Sequence, residues 1–106
     1  MDQFNIILPT ALEWHVSGTG AAVATVIRTW GSAPRPVGSQ LAVSGEGDII
    51  GSVSGGCVEG AVIIEALNTL KTGRNVILEY GVSDEDAFAV GLACGGQIEV
   101  YLERIE

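Results

Sequence analysis

The sequence predicts an α+β fold: a compact single domain with a mixed sheet of about five strands and two main helices. Three observations predict it. Hydrophobic residues fill 47% of the 106 positions and charged residues only 17%, which suits a packed interior and argues against disorder. The length suffices for one core and not for two. The apolar pattern also changes period along the chain, helical in two stretches and strand-like in the others.

Residues 4–17 place Phe4, Ile7, Leu8, Ala11, Leu12 and His15 at helical spacing, with Pro9 expected to kink the helix or to mark its first turn. Gly18-Thr19-Gly20 ends it. Residues 21–29 form an apolar, β-branched run that reads as a buried strand. A loop dense in Pro and Gly follows over 31–38. Residues 39–43 read as a short strand, 45–48 as a turn, and 48–53 as the hairpin partner. Helical spacing then returns in Val58, Val62, Ala66 and Leu70, joined by Ile63 and Leu67, with Ser54 as N-cap, Lys71 in the last turn and Gly73 as the stop. Residues 75–80 read as a strand, Ser83-Asp84-Glu85-Asp86 as the cap of a short helix through Val90, and 97–102 as a last strand. There Ile98, Val100 and Leu102 alternate with Gln97, Glu99 and Tyr101, giving one wet face.

The net charge of −8, from five basic and thirteen acidic residues, repels nucleic acid and anionic lipid. An anionic small molecule remains compatible, because backbone N–H groups and one or two local arginines bind it against the global field. No stretch approaches the ~18 apolar residues of a spanning helix, and Met1-Asp2-Gln3 lacks the basic start of a signal peptide. A cytoplasmic protein with reduced thiols is expected, with no membrane or nucleic-acid partner. Two cysteines and the lone His15 fall short of a structural zinc site. No P-loop, Rossmann GxGxxG, HExxH or CxxC pattern occurs.

Fifteen glycines, about twice the usual share of roughly 7%, cluster in loops. Both cysteines sit beside glycine pairs, in Ser54-Gly55-Gly56-Cys57-Val58-Glu59 and in Gly91-Leu92-Ala93-Cys94-Gly95-Gly96. A Gly-Gly pair lets a ligand approach the backbone. At a strand-to-helix turn it leaves the first helical N–H groups unpaired, and these form an anion seat with the helix dipole. Cys57 in that first turn would favour its thiolate, which is both a nucleophile and a soft-metal ligand. Glu59 opposes this by adding negative charge, unless it pairs or is protonated. The plain alternative is a tight turn around a small buried cysteine, but two such turns are hard to explain by packing alone. A disulfide between Cys57 and Cys94 is the weaker idea in a reducing compartment, and a transient redox pair stays open.

The loop 31–38 holds Arg35 between Pro34 and Pro36. A fixed guanidinium suits oxyanions, whereas an isolated RxP would more often be a solvated loop. Arg28 reads best as a strand-edge salt bridge, and Trp14 and Trp30 as packing residues. Acid–base chemistry has no pair to run on: His15 lies away from the motifs, and Glu59 is the sole carboxylate within them. A binding and transfer protein is expected rather than an enzyme. The competing readings are a thiol-redox or sulfur-transfer protein using Cys57 and Cys94, and a purely structural partner of a larger complex.

Gly31-Ser32-Ala33-Pro34-Arg35-Pro36-Val37-Gly38, Gly51-Ser52-Val53-Ser54-Gly55-Gly56-Cys57-Val58-Glu59 and Ala93-Cys94-Gly95-Gly96 together resemble the XdhC/CoxI family, whose members mature molybdenum hydroxylases such as xanthine and carbon monoxide dehydrogenases. The resemblance extends from Ala21 to Glu103. It implies a chaperone that binds molybdenum cofactor (molybdopterin) transiently and assists its sulfuration and insertion into the apo-enzyme. On this reading the cofactor-binding residues are Ser32, Arg35, Gly38, Ser54, Gly55, Gly56, Cys57, Glu59, Cys94, Gly95 and Gly96, with Cys57 and Cys94 as metal ligands. Members often carry a C-terminal Rossmann-like domain, which these residues do not include. A Rossmann-bearing partner and a cysteine desulfurase therefore join the molybdenum hydroxylase apo-enzyme as candidate partners. A homodimer is expected, through the apolar faces of the first helix and the last strand.

Overall fold

The computed structural model describes residues 2–30, 36–53, 59–81 and 97–105, the side chains of 2–5 and 81 excepted. In chain order the elements are α1 (Asp2–Val16), β1 (Ala21–Trp30), β2 (Gln40–Ser44), β3 (Ile49–Gly51), α2 (Glu59–Thr72), β4 (Val76–Gly81) and β5 (Gln97–Arg104). The expected N-cap at Ser54 and the short helix before Val90 fall outside the described residues.

The five strands form one sheet in the order β3-β2-β1-β5-β4. The expectation of a mixed sheet is corrected: among the described residues every pairing is antiparallel. The helix α2 does join two strands that run the same way, β3 and β4. It carries the chain from one edge of the sheet to the other, so the crossover creates no parallel neighbours.

The helices cover opposite faces. On one, α2 sets Val62 and Ala66 against Ala22, Ala24 and Val26 of β1, Leu41 and Val43 of β2, and Ile98, Val100 and Leu102 of β5. On the other, α1 sets Ile7 and Ala11 against Ala21, Val23 and Ala42, with Trp14 partly buried beside them. The alternation of β1 and β2 between these clusters is the strand period at work. Leu41, Ile98 and Leu102 are fully buried, each contributing roughly 1.5–3 kcal/mol of hydrophobic stabilisation. The radius of gyration, 13.2 Å, is that of a compact domain of about 100 residues.

Three details differ from the sequence reading. The buried stripe of α1 is Ile7–Ala11–Trp14; Leu8 and Leu12 face outward with Val16, because one narrow stripe suffices to seat a helix on a sheet. Pro9 lies inside α1, the first of the two places the sequence allowed it. β3 is shorter than expected because Gly51 adopts φ 94°, a left-handed conformation that turns the chain out of the strand. The last strand also offers no free apolar face, since Ile98, Val100 and Leu102 are buried and β1 and β4 pair with its two edges. Among the described residues no helix is long and apolar enough to cross a membrane.

Candidate functional site

The alternating strand directions place every connection at one of two ends of the sheet. The links 17–20, 45–48 and 73–75 lie at one end. The glycine-rich links 31–39, 52–58 and 82–96 all leave from the other. Their anchors are neighbours there: Trp30 pairs with Gln97, and Gln97 with Gly81. The Ser52 N–H donates to Gln40 O at 2.9 Å, at the start of β2. Three motifs far apart in sequence are thus rooted in a single sheet end.

Of the residues singled out in the sequence, Ser32, Arg35, Ser54, Gly55, Gly56, Cys57, Cys94, Gly95 and Gly96 lie outside the described residues. Gly38 and Glu59 lie within them. Gly38 has φ 96°, and its N–H donates to Val26 O at 2.8 Å while Val26 N–H donates to Ser39 O at 2.9 Å. This exchange fastens the far end of the arginine loop to β1. A Cβ at Gly38 would meet nothing within 4 Å, so the need for glycine there is conformational.

Glu59 opens α2, where its charge favours the helix dipole. It is nearly buried, and its Oε2 accepts the Ser52 hydroxyl at 2.7 Å and the buried Val53 N–H at 3.0 Å. The carboxylate therefore ties the start of α2 to the exit of β3, bracketing residues 54–58 from both sides. Ser52 was visible in the sequence only as part of a motif; nothing in its spacing signalled a bond to Glu59, which forms when the chain doubles back.

Arg28 and Trp30 stand at the same end. A bulge between Val26 and Arg28 shifts the register, so Val26 opposes Val100 whereas Arg28 opposes Glu99. The extra residue reverses the strand's parity, turning Arg28 away from the α2 face. Its Nη1 lies 3.8 Å from Glu99 Oε1, and its Cζ lies 4.9 Å from the Trp30 ring centre. The expected salt bridge is present, but within an interior strand pair rather than at an edge. Among the described residues no group of three His, Cys, Asp or Glu side chains is placed to hold a metal.

These features define a small α+β domain with one antiparallel sheet, a helix on each face, and three glycine-rich connections at one end. The sequence model of the XdhC and CoxI family matches residues 14–81, and the chain belongs to that family. It is 39% identical over 104 residues to the molybdenum cofactor insertion chaperone PaoD of Escherichia coli (strain K12), covering 98% of this chain and 32% of that protein. It is 34% identical to a probable xanthine dehydrogenase component of Bacillus subtilis (strain 168), covering 99% of this chain and 32% of that protein. The crystal structure of a xanthine dehydrogenase from Bacillus halodurans matches with a TM-score of 0.75 and 26% identity, over 92% of this chain and 30% of that one. The chain spans about a third of the length of these two curated relatives.

Proposed function

We propose that this domain receives molybdenum cofactor as cargo, holds it transiently and passes it to the apo-form of a molybdenum hydroxylase of the xanthine or carbon monoxide dehydrogenase type, assisting sulfuration and insertion. The observation that carries the reading is the common root of three motif segments at one end of the sheet, in a chain 39% identical to a named molybdenum cofactor insertion chaperone. The cargo presents a phosphate and a soft metal. Backbone N–H groups at Gly55, Gly56, Gly95 and Gly96, the Ser32 and Ser54 hydroxyls and the Arg35 guanidinium suit the phosphate, and the Cys57 and Cys94 thiols suit molybdenum. Gly38 and Glu59 act as positioning residues, through the bonds that fasten the loops they border.

The domain acts by binding and transfer, not as an enzyme, and works in the cytoplasm. A cysteine desulfurase, a Rossmann-bearing protein and a second copy of the chain are its proposed further partners, the last supported by the exposed Leu8, Leu12 and Val16 on α1. The test is expression in a cofactor-producing host, followed by assay of bound molybdenum and of the fluorescent oxidised pterin. Wild type is expected to capture both, and the Cys57→Ala, Cys94→Ala double variant to lose most of the capture with its fold intact. Equal capture by the two proteins would refute the role of the thiols. Absence of capture by wild type, with and without a Rossmann-bearing partner, would refute the binding itself.

A further inference from the structure

At the end of the sheet opposite the motifs, between the C-terminal ends of α1 and α2 and the last residues of β5, lies a groove of about 600 Å³. It is lined by His15, Lys71 and Arg104 together with Leu67, Leu70 and Ile105. The whole chain holds five Lys and Arg and one His against thirteen Asp and Glu. The groove takes three of those six basic side chains and, among the described residues, no acidic one. The composition of the chain would favour the reverse.

The charge is uncommitted. Among the described residues the one ion pair is Arg28–Glu99, so neither Lys71 nor Arg104 is matched to a described carboxylate. The two helix C-termini bring roughly half a negative charge each against two full positive charges, so the described groups leave a positive balance. Arg104 is also held in place. Its guanidinium lies over Gly73, 3.5 Å from where a Cβ would stand, and its backbone N–H donates to Asn75 Oδ1 at 3.0 Å. Nη1 stands 3.5 Å from Leu70 O, a length at which a hydrogen bond is weak, so most of the guanidinium's donors stay available. The N–H groups of Thr19 and Gly20 already donate to Trp14 O, and that of Gly45 to Gly20 O. Recognition therefore falls to the side-chain cations rather than to a backbone nest.

We propose that this groove binds a small organic phosphate. The phosphate sits on Arg104 and Lys71, where a fork of donors and a point charge complement one another, and the organic part lies against Leu67, Leu70 and Ile105. The volume falls in the range of small-molecule sites, about 300–1,000 Å³. Free phosphate would leave most of it, and the apolar wall, unused. The site is separate from the motif end and stands or falls independently of the cofactor reading.

Titration of the isotope-labelled 106-residue chain at low salt, followed by amide NMR, tests the proposal with AMP, inorganic phosphate and adenosine as probes. AMP is expected to bind saturably with millimolar or better affinity, moving the amides of Gly20, Gly45 and Ile105. Phosphate should bind more weakly at the same amides, and adenosine should not saturate. Replacing Lys71→Gln and Arg104→Gln together should weaken AMP by about tenfold or more. Lys71→Gln alone, at an exposed position, should weaken it several-fold without disturbing the fold. Absence of saturable AMP binding to wild type, shifts confined to the motif end, equal binding of adenosine, or unchanged affinity in Lys71→Gln would each overturn it.

Discussion

Replacing Glu59 with alanine tests whether the motif end of the sheet is held by a single carboxylate. In the native domain Glu59 Oε2 accepts from Ser52 Oγ at 2.7 Å and from Val53 N at 3.0 Å. Val53 is fully buried, so Glu59→Ala leaves its N–H without an acceptor, at a cost of about 1–3 kcal/mol. Loss of the bond from Ser52, which is only partly buried and can turn to water, adds about 1 kcal/mol. Removal of a negative charge from the first turn of α2 adds about 0.3–1 kcal/mol. The sum runs from about 2 to about 5 kcal/mol. For a domain of this length each kcal/mol lowers Tm by about 4–8 °C, so calorimetry should show a fall of about 10 °C or more. Glu59→Gln keeps the volume and one acceptor oxygen, and should lose only about 1 kcal/mol. A Glu59→Ala protein within about 0.5 kcal/mol of wild type in urea titration, at an unchanged m-value, would show that the carboxylate is not what fastens α2 to β3.

Two further outcomes follow from described contacts. Among the described residues the buried Tyr80 hydroxyl has no hydrogen-bond partner, and burial, with the charge of Glu65, pushes its pKa from the usual 10.0 up to about 12. The folded state thus keeps a proton that the unfolded state releases, so stability is level below pH 10 and is lost as pH rises from 10 toward 12. Tyr80→Phe should flatten that loss in urea titrations across this range and add up to about 1 kcal/mol at neutral pH by removing the orphaned group; an undiminished alkaline loss would refute the assignment. Gly51 and Gly38 separate strain from crowding. Both have φ near +95°, so alanine costs about 1–2 kcal/mol at either, but at Gly51 a Cβ would also press on Gln40 O and stand 2.8 Å from Ile7 Cδ1. Thermal melts should therefore show Gly51→Ala the more damaging, and equal losses would refute the steric part.

What the sequence determined by itself was whatever depends on neighbours along the chain. The helical recurrence of Val62 and Ala66, the alternation of Ile98, Val100 and Leu102, and the glycines at 18, 20 and 73 that stop the helices each express a local period or a local backbone demand, and each element stands where that logic put it. The motif residues that mark the family are legible for the same reason, as short runs whose composition suits a ligand. Tertiary structure decided the rest. Nothing local says that α2 crosses from one sheet edge to the other, and that crossing makes the pairing wholly antiparallel and roots all three motif links at one end. The period of α1 permits Leu8 and Leu12 to face inward; the sheet, by accepting only the Ile7–Ala11–Trp14 stripe, turned them out. A bulge of one residue reversed the side of the sheet that Arg28 faces. Glu59 found Ser52 and Val53 only when the chain folded back, and His15, Lys71 and Arg104 share a groove only because two helix ends and a strand end meet there. Burial and pairing are properties of the assembled surfaces, and a local period does not say which groups folding brings together.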